Sequence, residues 1–286
     1  MFMKKNALSM MVIILILSLI TMSSCTTKDD NSGQSGGTSV VVPDDQSFLL
    51  PVYYVKTSEN DTYLVREERL VSNTGDVYMT ALEELINGKP ATNGAECVLP
   101  EDTRIRSISV ANGEMVIDFS SEVLLANVGS KAEELGIQSI VNTMTEFSVV
   151  DRVSFLVEGT TDEPVMSWWG HVGLFEQPFK RDLSMVYEPV IWVNHPVPGQ
   201  EITSPLLIHG SAMVFEGTVC VRLLDASGKE LTSGFTTAEA GAPERGDYNL
   251  PLEFAPATGN GKLEVYSEDT QDGKVRDLVS IPITFK

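Results

Sequence analysis

Two kinds of periodicity divide this 286-residue sequence. They predict a mixed α+β region, two helices on a small mixed sheet, followed by an all-β sandwich. Before residue 182, two apolar stripes at three- and four-residue spacing alternate with β-branched runs. After residue 187, only short strands separated by Pro and Gly turns remain, and no helical stripe recurs. A third observation is local: Asn112-Gly113 lies between two alternating apolar runs, the pattern of a tight hairpin.

The first 24 residues read as a targeting segment. Lys4 and Lys5 precede an uncharged, largely apolar run from Ala7 to Met22, and small Ser23 and Ser24 lead into Cys25. At about 1.5 Å per residue that run spans roughly 24 Å as a helix, short of the ~30 Å hydrocarbon core. A signal peptide fits better than a permanent span; an uncleaved anchor is the alternative. Met22-Ser23-Ser24-Cys25 resembles a bacterial lipobox, which implies that Cys25 is acylated, becomes the mature N-terminus and is the membrane contact. Residues 25–47 then form a lipidated cysteine and a tether. Thr26 to Ser47 is dominated by Asp, Ser, Gly and Thr, has no aromatic residue, and cannot bury enough apolar area to offset its ordering entropy. As a flexible coil it reaches roughly 25 Å.

The first folded region, residues 48–182, opens with strands at Leu49–Lys56 and Thr62–Val71. Asp76 is the expected N-cap of a helix that buries Tyr78, Ala81, Leu82, Leu85 and Ile86 and stops at Gly88 and Pro90. The hairpin about Asn112-Gly113 pairs Val110 with Met115 and Ile108 with Ile117 on a core face, leaving Ser107, Ser109 and Asp118 on a wet one. Ser130-Lys131-Ala132-Glu133 has the pattern of a capping box ahead of a second helix, whose stripe is Leu135, Ile137, Ile140, Val141, Met144 and Phe147. Arg152 to Val157 alternates Val153, Phe155 and Val157 inward as a further strand.

The second region, residues 187–286, has strand candidates at Val190–Asn194, Leu206–His209, Thr218–Asp225, Tyr248–Phe254, Lys262–Tyr266 and Leu278–Phe285, with a weaker one at Leu231–Thr236. About seven strands in roughly a hundred residues argue a β-sandwich. The Gln177–Tyr187 connection suits either a hinge or a packed seam.

Residues along both regions carry a family resemblance. Leu85-Ile86-Asn87-Gly88-Lys89-Pro90, Leu99-Pro100, Val116-Ile117-Asp118-Phe119-Ser120, Gly129-Ser130 and Phe155-Leu156-Val157-Glu158-Gly159, with Gly170-His171 and Pro178-Phe179-Lys180-Arg181 after them, resemble the GerMN domain. Asn194-His195-Pro196, Pro198-Gly199, Ser204-Pro205, Gly210-Ser211-Ala212 and Phe215-Glu216-Gly217 resemble Gmad2, an immunoglobulin-like domain of bacterial spore germination. The resemblance implies an extracytoplasmic, lipid-anchored protein linked to sporulation or germination, and no catalytic residues. It also implies a protein partner or self-association in the envelope.

Composition agrees with an exported body. Forty acidic against 20 basic side chains give a net charge of −20, and loss of Lys4 and Lys5 makes the mature chain more negative still. Nucleic acid is thereby excluded as a partner, since a polyphosphate needs clustered cations. The three histidines, His171, His195 and His209, form no HExxH arrangement, and no CxxC pair, GxSxG elbow or GxxxxGK loop occurs. No metal or cofactor is expected. Ser204, Glu216 and Asp118 make a triad only if an arbitrary geometry is assumed. Cys97 and Cys220 fall in separate regions and are not expected to bridge. Trp168-Trp169 is the sharpest surface candidate: adjacent side chains on extended backbone point to opposite faces, so one indole could stack on a cell-wall glycan or a protein. The alternative is that one indole anchors the core and the other packs at the seam. Trp192 is expected in the core.

Overall fold

The computed structural model describes residues 47–72, 75–126, 129–168 and 173–286. The signal segment, Cys25, residues 26–46 of the tether, Trp169 and His171 lie outside the described residues, while Ser47, expected in the tether, begins the first strand.

Chain order in the first region is β1 (Ser47–Thr57), β2 (Thr62–Ser72), α1 (Val77–Asn87), β3 (Ala95–Glu96), β4 (Ile105–Ala111), β5 (Glu114–Phe119), α2 (Ser130–Met144), β6 (Arg152–Val157), a short α3 (Glu163–Met166), β7 (Phe179–Lys180) and β8 (Val186–Glu188). Each expected helix and strand is present, but the single small sheet is not: the strands form two sheets, ordered β3-β1-β2-β8 and β4-β5-β6-β7. The edges of the first hairpin explain the split. The backbone of Tyr53 on β1 donates to Thr143 Oγ1 (3.1 Å) and accepts from Ser139 Oγ (2.7 Å), both from α2. The free side of β2 takes β8 in parallel at Leu64 and Val65. With both flanks bonded, the second hairpin builds its own sheet.

Local expectations hold where side chains decide them. Asp76 accepts from the N–H groups of Tyr78 and Met79 at 3.0 Å each, and Ala81, Leu82, Leu85 and Ile86 are buried beneath the helix it starts. Asn112 and Gly113 take φ of 53° and 76°, and Val110 faces Met115 in the expected register. Two expectations need correction. Gly129, with no side chain to offer, occupies the cap position of α2, so Ser130 lies one residue inside and no capping box forms. Asp118 is buried, because the chain after β6 folds back over it: its carboxylate accepts from Gly159 N (2.9 Å) and pairs with Arg106 (3.5 Å).

The second region contains β9 (Ile191–His195), β10 (Gln200–Ile202), β11 (Leu206–Ala212), β12 (Thr218–Asp225), β13 (Glu230–Thr237), β14 (Gly246–Leu252), β15 (Gly259–Glu268) and β16 (Val275–Phe285). A three-stranded sheet, β14-β11-β9, and a five-stranded one, β10-β16-β15-β12-β13, enclose a common core that includes Ile208, Val221, Leu223, Tyr248, Leu263 and Val265. Seven of these strands match the sequence reading. Strand β10 does not: three residues pairing in parallel with Ile283–Phe285 are too short to show alternation.

Candidate functional site: the seam between the two regions

The connection expected as hinge or seam is a packed seam, and it is built around one indole. Trp192, on β9 of the second region, is buried in the core cluster of the first. Its ring meets Tyr53 edge-on at 6.3 Å. The guanidinium carbons of Arg66, from β2, and Arg245, from the loop before β14, lie 4.9 and 3.9 Å from its ring centre. Its indole N–H donates to Pro189 O at 2.8 Å.

Arg245 acts on backbone rather than on a carboxylate. Its terminal nitrogens donate to the carbonyls of Pro189 (2.9 Å), Val190 (3.1 Å), Val186 (3.3 Å) and Ser211 (3.5 Å), so one side chain binds β8, the junction and β11 together. Burial pulls its guanidinium down to about 10, with the neighbouring Arg66 adding in the same direction. It stays charged at neutral pH, held by the four carbonyl dipoles and the indole face.

A second cluster closes the seam from the helix side. Tyr53 Oη donates to Glu146 Oε1 (2.6 Å) and accepts from Arg181 Nη2 (2.8 Å), and Arg181 also pairs with Glu146. Burial and the Glu146 charge raise the Tyr53 hydroxyl well above the ordinary phenol range. Fully buried Asn142 on α2 accepts from Asp182 N (3.0 Å) and donates to Asp182 O (2.6 Å), fixing the connection to the helix. Farther along, Glu188 accepts from Lys56 Nζ (2.9 Å) and Tyr63 Oη (2.7 Å), while Tyr63 stacks on Tyr187 at 5.2 Å. Burial opposes the Glu188 charge, but these two donors outweigh it and hold the carboxyl below its ordinary value.

Three adjoining depressions open along the seam. One of about 220 Å³ lies between Arg66, Glu68 and Trp192 on one side and Val279–Ile281 on the other. The next, about 400 Å³, shares Arg66, Pro189 and Val279 with it and reaches Glu188 and Asp277. The third, about 700 Å³, continues past Val190 and Asp277 to Phe215, Glu216 and Glu268.

The structure places the sequence candidates elsewhere. Trp168 is fully buried, edge-on to Phe119 (5.9 Å) and Phe155 (5.4 Å), so it is a core anchor of the first region and no stacking platform. His195 and His209 stack at 5.6 Å with nearly parallel rings. Nδ1 of His195 meets Leu207 O (2.5 Å) and its Nε2 meets Gln200 Nε2 (2.9 Å), so both ring nitrogens are engaged locally. Ser204, Glu216 and Asp118 have separate local roles: Ser204 Oγ accepts from Phe254 N (3.0 Å), Asp118 holds Gly159, and Glu216 forms a turn at φ 53°. Cys97 and Cys220 are both unpaired. Arg181 falls in the Pro178-Phe179-Lys180-Arg181 stretch of the GerMN resemblance, but Arg66 and Arg245 carry no motif. The sequence signal for Arg66 is its place on the same strand face as Leu64, next to which a charge needs a partner.

Comparison with known proteins agrees with this division. Residues 51–163 match the Germane family, described as "Sporulation and spore germination", and residues 190–274 match Gmad2, "Immunoglobulin-like domain of bacterial spore germination". A curated relative, spore germination protein GerM of Bacillus subtilis (strain 168), is 30% identical over 105 residues, which is 35% of this chain and 28% of that protein. Among solved structures, the tandem GerMN domains of GerM from Bacillus subtilis are 25% identical, with a TM-score of 0.39, over 48% of this chain and 46% of that one. The first GerMN domain of the same protein is 27% identical, with a TM-score of 0.34, over 39% of this chain and 84% of that one. This chain thus spans less than a third of the length of the curated relative it matches.

Proposed function

Because this chain joins a GerMN domain to a Gmad2 domain, we propose that it is a non-enzymatic envelope protein that binds or assembles with other proteins in sporulation or spore germination. The tandem of the two germination-type domains carries this reading. The seam supports it: Tyr53, Glu146 and Arg181 are bonded to one another in a closed cluster that ties the connection to the first domain. Two domains joined in this way present a continuous surface, with recognition elements from both held at a fixed distance. In this reading Cys25 carries the lipid that holds the domains outside the cytoplasmic membrane, and the acidic body stands away from anionic headgroups. Among the described residues, no helix is long and apolar enough to cross a membrane. The glycan-binding alternative drew on Trp168 and Trp169, and the enclosure of Trp168 removes half of that basis.

Deleting the coding gene and following spore yield and germination tests the proposal. It predicts a defect that the intact chain rescues and Cys25→Ala does not. Normal sporulation and germination in the deletion strain would overturn it.

A further inference from the structure

Strand β16 has more edge than its neighbours cover. One side pairs with β15 along most of its length, from Val275 to Phe285. The other side meets β10 only at Ile283–Phe285, and Gly199 N donates to Pro282 O (2.7 Å) just before that. Backbone groups of alternate strand residues point to the same edge, so the outward carbonyl of Pro282 places the N–H and C=O of Ser280 outward too. Ser280, Leu278 and Pro282 are exposed, and among the described residues no strand pairs with the outer side of β16 at Leu278–Ser280. Natural proteins usually protect such an edge with lysine, proline or a cover. Here Pro282 stands at one end, and a bulge at Asp277, with φ 50°, at the other.

The three depressions of the seam run beside this edge, with Val190 and Val279 among their lining. Their charged lining is mainly acidic. Arg66 and Arg276 are already ion-paired, to Glu68 (3.1 Å) and Asp269 (3.2 Å), whereas Glu216, Glu268 and Asp277 have no cation paired with them among the described residues, Asp277 accepting only from Ser267 Oγ (2.6 Å).

We propose that the open edge of β16 takes, by strand addition, an extended segment of a partner protein that carries lysine or arginine. Main-chain hydrogen bonds to Ser280 supply the pairing. Alternate side chains of the guest enter the depressions, where apolar ones meet Val190 and Val279 and cationic ones meet the acids beyond Asp277. The net charge of −20 steers such a segment and repels a second copy of this chain from the same groove. This inference deepens the binding-module reading and rests on it.

The test uses the full chain in detergent micelles and two fluorescein-labelled seven-residue peptides, one alternating valine with lysine and one alternating valine with glutamate. Fluorescence anisotropy at low salt is expected to show saturable binding of the lysine peptide, weakened by added KCl, and none of the glutamate peptide. Ser280→Pro removes an outward donor without touching the β15 ladder. It is expected to weaken binding roughly tenfold, equivalent to about 1.4 kcal/mol, with the melting curve unchanged. Glu268→Lys, at an exposed position, is expected to weaken it by a similar factor. Equal binding of both peptides, indifference to both substitutions, or no saturable binding of the lysine peptide would overturn the proposal. Those results would leave the germination-linked reading standing if the gene deletion has its phenotype; a silent deletion would remove both.

Discussion

The Arg245 guanidinium lies 3.9 Å from the centre of the Trp192 indole ring and reaches four backbone carbonyls from the same position. Arg245→Met keeps the packing of the stem but removes the charge and every donor. It should cost about 2–4 kcal/mol, read as a lower urea midpoint. Arg245→Lys should recover only part of that loss, because an ammonium cannot match the planar fork.

Trp168→Ala should cost about 3–5 kcal/mol, since it empties a site enclosed by Phe119 and Phe155. Thermal melting checks this. Any loss of binding in that variant should track its loss of fold, and Trp168→Phe should restore most of both.

Tyr248 and Gly210 act together behind Trp192. Tyr248 Oη donates to Trp192 O at 2.8 Å, and a Cβ on Gly210 would stand 2.8 Å from that hydroxyl and press on the same carbonyl. Tyr248→Phe should cost about 1–2 kcal/mol, and Gly210→Ala more, because it displaces backbone as well as losing a bond. Chemical denaturation of the two variants checks the order.

Glu67 sets a pH dependence. Burial opposes its charge, but the amide N–H groups of Ala91 (2.9 Å) and Thr92 (2.7 Å), with Arg69, outweigh burial and hold the carboxyl below its ordinary 4.5. The unfolded chain therefore binds this proton more readily, and stability rises with pH through this range. The contribution is complete above the unfolded value and disappears as the pH falls through the folded one. Denaturation midpoints against pH should show an acid limb below about pH 4.5 that Glu67→Gln makes shallower.

Thiol reactivity should be low in the native protein. Burial, aided by the nearby Glu84, pushes the Cys97 thiol up to about 11, and burial also raises Cys220. A thiol-specific reagent at pH 8 should label both slowly, and quickly once urea is added.

The sequence made local elements legible because each is decided by neighbours in the chain. Asp76 caps α1 through residues two and three ahead, and Asn112-Gly113 sets the hairpin register by itself. What it hid depends on contacts far along the chain. The division into two sheets rests on Ser139 and Thr143 bonding to Tyr53, some ninety residues away, and neither residue differs in pattern from an ordinary helix hydroxyl. Asp118 read as wet because alternation assigns a face but cannot show that Gly159 folds over it. The seam was least legible. Trp192 looked like core of its own region and proved to be core of the other, while Arg66 and Arg245 carry no motif. Trp168 takes the core-anchor role that the sequence offers as the alternative to an exposed platform.

Photo-cross-linking in intact host cells, with a benzoylphenylalanine at Leu278 in the full chain beside the open edge of β16, decides whether this chain binds a protein. A binding module predicts one discrete protein adduct, lost when Ser280→Pro is added and retained after cell-wall glycan is digested. Absence of a protein adduct, together with saturable pelleting of the chain on purified sacculi, would overturn the binding-module reading and make glycan the partner.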